Sequence, residues 1–294
     1  MKKILVTGAT GFVGANLLKA LIKSGEYEVY ITTRRSSDLW RIADVVPQIH
    51  KIYECHIDIR SEVFQLMEEL KPDIIYHTAA YGGFASQTDA ERIIQSNLHA
   101  TINLLDAAML YGIQQFINTG SSSEYGIKND AMKETDLCEP INLYGITKLA
   151  ATQYCSMMGK SSKYNVCTLR LFSPYGELED PSRLYPSIVS ALERNERPRL
   201  SRPHSVRDFI GIDKVLDVYM KIIHISYEPG DVINVGSGRQ QTIEQFYRSI
   251  ASRLRKDIEP IWGEAPPRPH EPIRWEADIH KLNTLMNDEE ATYE

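Results

Sequence analysis

Lys2-Lys3-Ile4-Leu5-Val6-Thr7-Gly8-Ala9-Thr10-Gly11-Phe12-Val13-Gly14 runs from a short apolar segment into three glycines spaced by two residues, then into a helical pattern continued by Ala15, Leu17, Leu18 and Leu21. A strand that opens this way predicts a dinucleotide cradle. Gly8 lets the chain turn sharply out of the strand, Gly11 lets the backbone approach a pyrophosphate, and Gly14 lets the new helix pack on the sheet. The helix N-terminus, with Phe12 and Val13 in its first turn, then faces the phosphates with free N–H groups and a positive dipole end. Gly8, Gly11, Phe12, Val13 and Gly14 are therefore expected cofactor contacts.

Alternation continues beyond this stretch. Tyr27 to Thr33, Ile49 to Ile57, Asp73 to His77, Gln115 to Thr119, Val166 to Phe172 and Asp231 to Val235 read as strands, with helical spacing in Glu62 to Leu70 and a long helix over Ile93 to Tyr111. Such alternation predicts an α/β fold, a Rossmann-type doubly wound parallel sheet. Segments rich in Pro and Arg, including Glu179 to Arg183 and Arg197 to Pro203, fit a smaller C-terminal substrate-binding lobe over the strand ends. The expected division is a dinucleotide-binding domain over 1–170, with 206–236 returning to it, and a substrate lobe of 171–205 and 237–294.

The 294 residues are 43% hydrophobic with a formal charge of -6, the composition of an ordinary soluble globule. Without a long basic run, non-specific nucleic-acid binding is excluded as a reading. Cys55, Cys138, Cys155 and Cys167 form no CxxC pair, so no metal site is expected and the cysteines read as small hydrophobes of a reducing compartment. The apolar start is cut by Thr7, Gly8 and Thr10, unlike a secretory leader, and no run is long enough to span a bilayer. A cytoplasmic protein without membrane partners is expected.

Asn142-Leu143-Tyr144-Gly145-Ile146-Thr147-Lys148 starts a helix in which Tyr144 and Lys148 share one face, about 6 Å apart along the axis. A free phenol titrates near 10, and lowering it by about three units takes roughly 4 kcal/mol of differential stabilisation, which an adjacent ammonium and a cationic nicotinamide can supply. Upstream, Phe116-Ile117-Asn118-Thr119-Gly120-Ser121-Ser122-Ser123-Glu124-Tyr125-Gly126 leaves a strand with hydroxyls at the sheet's C-terminal edge.

In order and spacing, the glycine cradle, the serine loop and the Tyr-Lys helix resemble the extended short-chain dehydrogenase/reductase family of nucleotide-sugar epimerases, dehydratases and ketoreductases. The resemblance implies Ser121, Tyr144 and Lys148 as the catalytic residues, with Lys148 also holding the nicotinamide ribose. It implies cofactor contacts at Asp58 and Ile59, at Ala79 and Ala80, at Asn97 and at the Leu171-Phe172 strand exit. Substrate contacts are implied at Ser122, Ser123 and Ser173, the last where the family often has Asn. Val206-Arg207-Asp208-Phe209 and Arg268-Pro269-His270-Glu271 resemble the motifs whose arginines, here Arg207 and Arg268, grip a sugar-nucleotide diphosphate with their forked guanidinium groups. Relatives often pair the helices 93–111 and 144–158 in a homodimer. Relatives also commonly continue past a Gly-Trp turn into a further helix, whereas here an acidic tail follows Leu282, so a trimmed small lobe is expected.

An NAD site usually carries a carboxylate at the end of the second strand. Here Thr32-Thr33-Arg34-Arg35-Ser36-Ser37 offers two guanidinium groups instead, which suit a 2'-phosphate, so NADP(H) is expected with Arg34 and Arg35 as contacts and NAD(H) as the other possibility. Dehydratases of the family place an acidic pair where this chain has Ser122 and Ser123. The expectation is an NADPH-dependent 4-ketoreductase of a nucleotide-linked 4-keto-6-deoxy sugar. Two alternatives stand beside it: an NAD-dependent nucleotide-sugar 4-epimerase, and a non-catalytic NADP-binding sensor or scaffold.

Overall fold

The computed structural model describes residues 1–162, 164–263 and 272–287. In chain order the first part runs β1 (Lys2–Thr7), α1 (Phe12–Ser24), β2 (Tyr27–Thr33), β3 (Lys51–Glu54), α2 (Arg60–Leu70), β4 (Ile74–His77), α3 (Ala90–Ile94), α4 (Ala100–Tyr111), β5 (Gln115–Ser121), α5 (Leu143–Ser161) and β6 (Asn165–Leu171). Then follow β7 (Ser173–Tyr175), α6 (Leu184–Glu193), β8 (Arg199–Leu200), β9 (Val206–Gly211), α7 (Ile212–Lys221), β10 (Asp231–Val235), β11 (Gln240–Thr242), α8 (Ile243–Arg253), β12 (Ile261–Trp262) and α9 (His280–Asn287).

Seven strands form one sheet in the order β10-β6-β5-β4-β1-β2-β3, and every pairing in it is parallel. This is the expected doubly wound sheet. Period-two alternation divides each strand between two cores: Ile4, Val6, Ile74, Tyr76 and Ile117 join Leu17, Leu18 and Val215 of α1 and α7 on one face. Leu5, Ile75 and Phe116 join Val63, Leu66 and Leu104 of α2 and α4 on the other. Because both faces are covered, the strands read in sequence as nearly continuous apolar runs.

The strand order reverses beside β1, which has β2 on one side and β4 on the other. Ligands of open α/β sheets bind in the crevice at such a switch point.

Two elements differ from their expected bounds. β3 is shorter than Ile49–Ile57, because a 3-10 turn at Val46–Gln48 precedes it and the chain turns into α2 soon after. The expected helix over Ile93–Tyr111 starts at Ala90, capped by Asp89, and is interrupted by a π turn at Gln95–His99. Turns of that kind collect at functional sites.

The small lobe is built on a three-stranded sheet β11-β9-β7 and a pair β12-β8. β9, at the start of 206–236, belongs to this small sheet, while α7 packs on α1 and β10 pairs with β6. Phe209 and Phe246 stack with ring centroids 3.8 Å apart, and Tyr175 meets Phe246 edge-on at 4.8 Å. Asp208 turns inward and accepts hydrogen bonds from the N–H groups of Ser237 (2.7 Å), Gly238 (3.1 Å) and Ala277 (3.0 Å). Among the described residues no helix is long and apolar enough to cross a membrane.

Candidate active site

At the switch point the glycines are required by close contacts. Gly8 has φ +71, and a Cβ there would lie 2.5 Å from the Ala79 nitrogen. A Cβ on Gly14 would lie 2.3 Å from the Gly8 carbonyl oxygen and 2.5 Å from Thr78 Oγ1. The turn, β4 and α1 are thus in backbone contact. Gly11 is the N-cap of α1 and gives no side-chain cap, and no acidic residue stands in the first turn. The first N–H groups of the helix are therefore left for an anion, which the dipole also favours. This cradle fits a dinucleotide pyrophosphate.

The cradle forms one end of a cleft of about 910 Å³ running beneath the small lobe. Gly8, Gly11, Phe12, Val13, Gly14, Arg34, Asp58, Ala79, Ala80, Leu171 and Phe172 all line it. Four expected contacts do not: Arg35 is exposed outside the lining, Ile59, 43% exposed, is the N-cap of α2, and Asn97 and Lys148 are buried outside the lining.

Asn97 is fully buried in the π turn. Its amide donates to the Tyr81 carbonyl (2.8 Å) and to Thr147 Oγ1 (3.0 Å) and accepts from the Tyr81 N–H (2.9 Å). It clamps the backbone beside the cleft to α5.

Ser121 and Tyr144 come together at the cleft, with Lys148 buried one turn further along α5 and outside the lining, because two turns pack without side chains between them. Asn142 caps α5 by accepting from the Gly145 N–H at 2.8 Å, and a Cβ on Gly145 would lie 2.5 Å from the Ser123 carbonyl oxygen. The first turn of α5 is therefore pressed on the serine turn. The Tyr144 phenol lies near Ser121, whose side chain draws its pKa down and whose Oγ accepts from the Ser123 N–H at 3.2 Å. Gly82 and Gly83 leave room over the phenol ring.

Lys148 is 1% exposed. Burial pulls its amine below the ordinary lysine value, opposed by the nearby Glu124 carboxylate. Burial raises the Tyr144 phenol, against the pull of the Ser121 side chain and of Arg183. The lowering expected from Lys148 is not among the influences on the phenol, and bringing it toward neutrality needs more positive charge beside the ring.

Glu124 is fully buried and does not line the cleft. Its carboxylate accepts from the Ser121 N–H at 2.7 Å and pairs with Arg170 (Nε 2.9 Å, Nη2 2.8 Å), whose guanidinium lies over the Tyr125 ring at 4.3 Å. It closes a capping box around the serine turn. His77 is buried beneath the cleft between Thr7 Oγ1 (2.7 Å) and Thr101 Oγ1 (3.0 Å), where burial and Lys148 hold its imidazole down to about 3.

Ser122, Ser123, Ser173 and Arg207 also line the cleft. Arg268 lies outside the described residues, as does the acidic tail 288–294. The charged lining residues unread in the sequence include Arg183, Glu179 and Arg41. Arg183 donates to the Gly83 carbonyl at 2.7 Å and stacks over Phe84 at 4.0 Å. Glu179, pushed up to about 7 by burial, keeps Oε2 without a partner. Arg41 donates to the Leu178 carbonyl (2.7 Å) and to the Thr10 carbonyl (3.2 Å). Their only sequence signal was the Pro and Arg richness around Glu179–Arg183; Arg41 had none.

The sequence matches the NAD dependent epimerase/dehydratase family over residues 4–236. The chain belongs to that family. It is an NAD-dependent enzyme of the short-chain dehydrogenase/reductase type. Among its epimerase/dehydratase relatives, an uncharacterized UDP-glucose epimerase, YtcB, of Bacillus subtilis is 25% identical, over 99% of this chain and 93% of the relative. Protein CapI of Staphylococcus aureus is 26% identical over 90% and 87%. The solved UDP-glucuronic acid 4-epimerase from Bacillus cereus, in complex with UDP-glucuronic acid and NAD, superposes with a TM-score of 0.83 at 26% identity, covering 97% of this chain and 93% of that one. Membership accounts for the long parallel sheet, and for the glycine cradle at its switch point.

Proposed function

We propose that this protein is a nucleotide-sugar 4-epimerase that keeps its NAD(H) through the catalytic cycle. The likeness over 97% of the chain to a UDP-glucuronic acid 4-epimerase holding NAD carries this reading. It is the alternative weighed in the sequence, and it displaces the NADPH-dependent 4-ketoreductase for a physical reason as well. Of the arginine pair that suggested a 2'-phosphate, Arg35 stands outside the cleft lining. Arg34 does line it, and that observation alone still favours NADP(H).

In the proposed reaction Tyr144 takes the proton from the C4 hydroxyl of the sugar and returns it, while Ser121 hydrogen-bonds the same oxygen. Lys148 sustains positive potential next to the phenol. Bound NAD supplies the hydride acceptor and donor. Ser122, Ser123 and Ser173 meet the sugar, and Arg207 meets the diphosphate. The same unit is proposed to dimerise through α4 and α5, where Leu110, Ile146 and Met157 are apolar and at least half exposed.

The test is a nicotinamide balance. Purified protein, denatured, is expected to release NAD(H), and UDP-sugar turnover is expected to yield the C4 epimer with no net change in nicotinamide. Consumption of one NADPH per product would restore the ketoreductase.

A further inference from the structure

The segment that follows β7 leaves the small lobe and returns to the cofactor cradle. The Glu177 carbonyl accepts from Asn16 Nδ2 of α1 at 2.9 Å. One residue on, the Leu178 carbonyl accepts from Arg41 Nε at 2.7 Å, and Nη1 of the same guanidinium donates to the Thr10 carbonyl of the glycine turn at 3.2 Å. Arg41 therefore ties a strap of the small lobe to the turn that cradles the pyrophosphate.

Three further features hold the strap in place. Gly176 turns at φ +149, where a Cβ would lie 2.5 Å from Ile212 Cγ2. Leu178 is left-handed at φ +65, a conformation that is strained for a residue with a side chain. Its side chain, like those of Phe12, Val13 and Leu39, packs against the buried core cluster of α1 and α7. Asp180 then closes the far end by accepting from the Ser182 N–H at 2.9 Å. A strained residue persists only where its surroundings over-determine it, and here Arg41 and Asn16 supply that constraint.

We propose that Arg41, assisted by Asn16, is a cofactor-retaining residue whose hydrogen bonds to the 176–180 strap must open before a dinucleotide can leave the cradle. The inference rests on the reading that the dinucleotide stays bound through turnover. Arg41 is a positioning residue in that role. It acts through the strap, and the quantity it controls is a dissociation rate.

The experiment loads the full-length protein with NAD and follows its release into excess unlabelled NAD. Arg41→Ala removes two charge-assisted hydrogen bonds and is expected to speed release at least about tenfold. Arg41→Lys, lacking the fork, is expected to fall between. Asn16→Ala removes one bond from an exposed site and is expected to speed release a few-fold. It carries the test if Arg41→Ala does not fold. Release rates within about twofold of the parent in the folded variants would overturn the inference while leaving the epimerase intact. A parent that exchanges NAD in every cycle would overturn the epimerase reading instead.

Discussion

Tyr144 is placed where a proton can be moved, yet burial raises its phenol. Its reactivity therefore depends on charge brought close to it. Tyr144→Phe keeps the ring and removes the hydroxyl, so turnover is expected to fall by about 100-fold or more with NAD affinity nearly unchanged, measured by steady-state kinetics and NAD titration. His77 gives a separate, purely energetic prediction. Its imidazole stands at about 3 in the fold against 6.5 ordinarily. Below 6.5 the unfolded chain binds a proton that the native protein refuses, so this contribution is complete above that pH and is lost as pH falls toward 3. The slope for one such group is about 1.4 kcal/mol per pH unit. Urea unfolding near pH 7 and near pH 5 should differ by about 2 kcal/mol more in the parent than in His77→Gln.

At the scale of elements, the glycine turn was legible because its constraint is local. A turn, a strand exit and a helix start must meet within a few residues, and only glycine leaves the space. Gly14→Ala would press a methyl group on the Gly8 carbonyl and Thr78. A loss of about 1–3 kcal/mol in thermal or urea unfolding is expected, with weaker NAD binding from the displaced helix start. Parent-like stability and affinity would show that the close approach is dispensable. The π turn at Gln95–His99 was not read in the sequence. Its cause is a tertiary partner, the backbone of Tyr81, which draws Asn97 inward. Glu124 was legible only in part. Its position one residue beyond the dehydratase acidic pair could be read, but its burial against Arg170 depends on a neighbouring strand.

For the whole molecule, Ile146 and Met157 stand about three turns apart and so share one face of α5, beside the exposed Leu110 of α4. If this face joins two copies, Leu110→Glu combined with Met157→Glu should halve the mass found by sedimentation without unfolding the chain. A parent that sediments as a monomer at micromolar concentration would end the proposal of a dimer. Membership of the family was visible in the sequence because its marks are short-range: three glycines, a Tyr-Lys spacing of one helical turn, and the regular alternation of strand and helix. Backbone sterics and helical pitch write such features into neighbouring residues. What only the tertiary structure decided is which distant groups share the cleft. Arg34 lines it while Arg35 does not, and Arg41 crosses 137 positions to hold the strap. Those outcomes depend on long-range packing, which no local pattern of residues encodes.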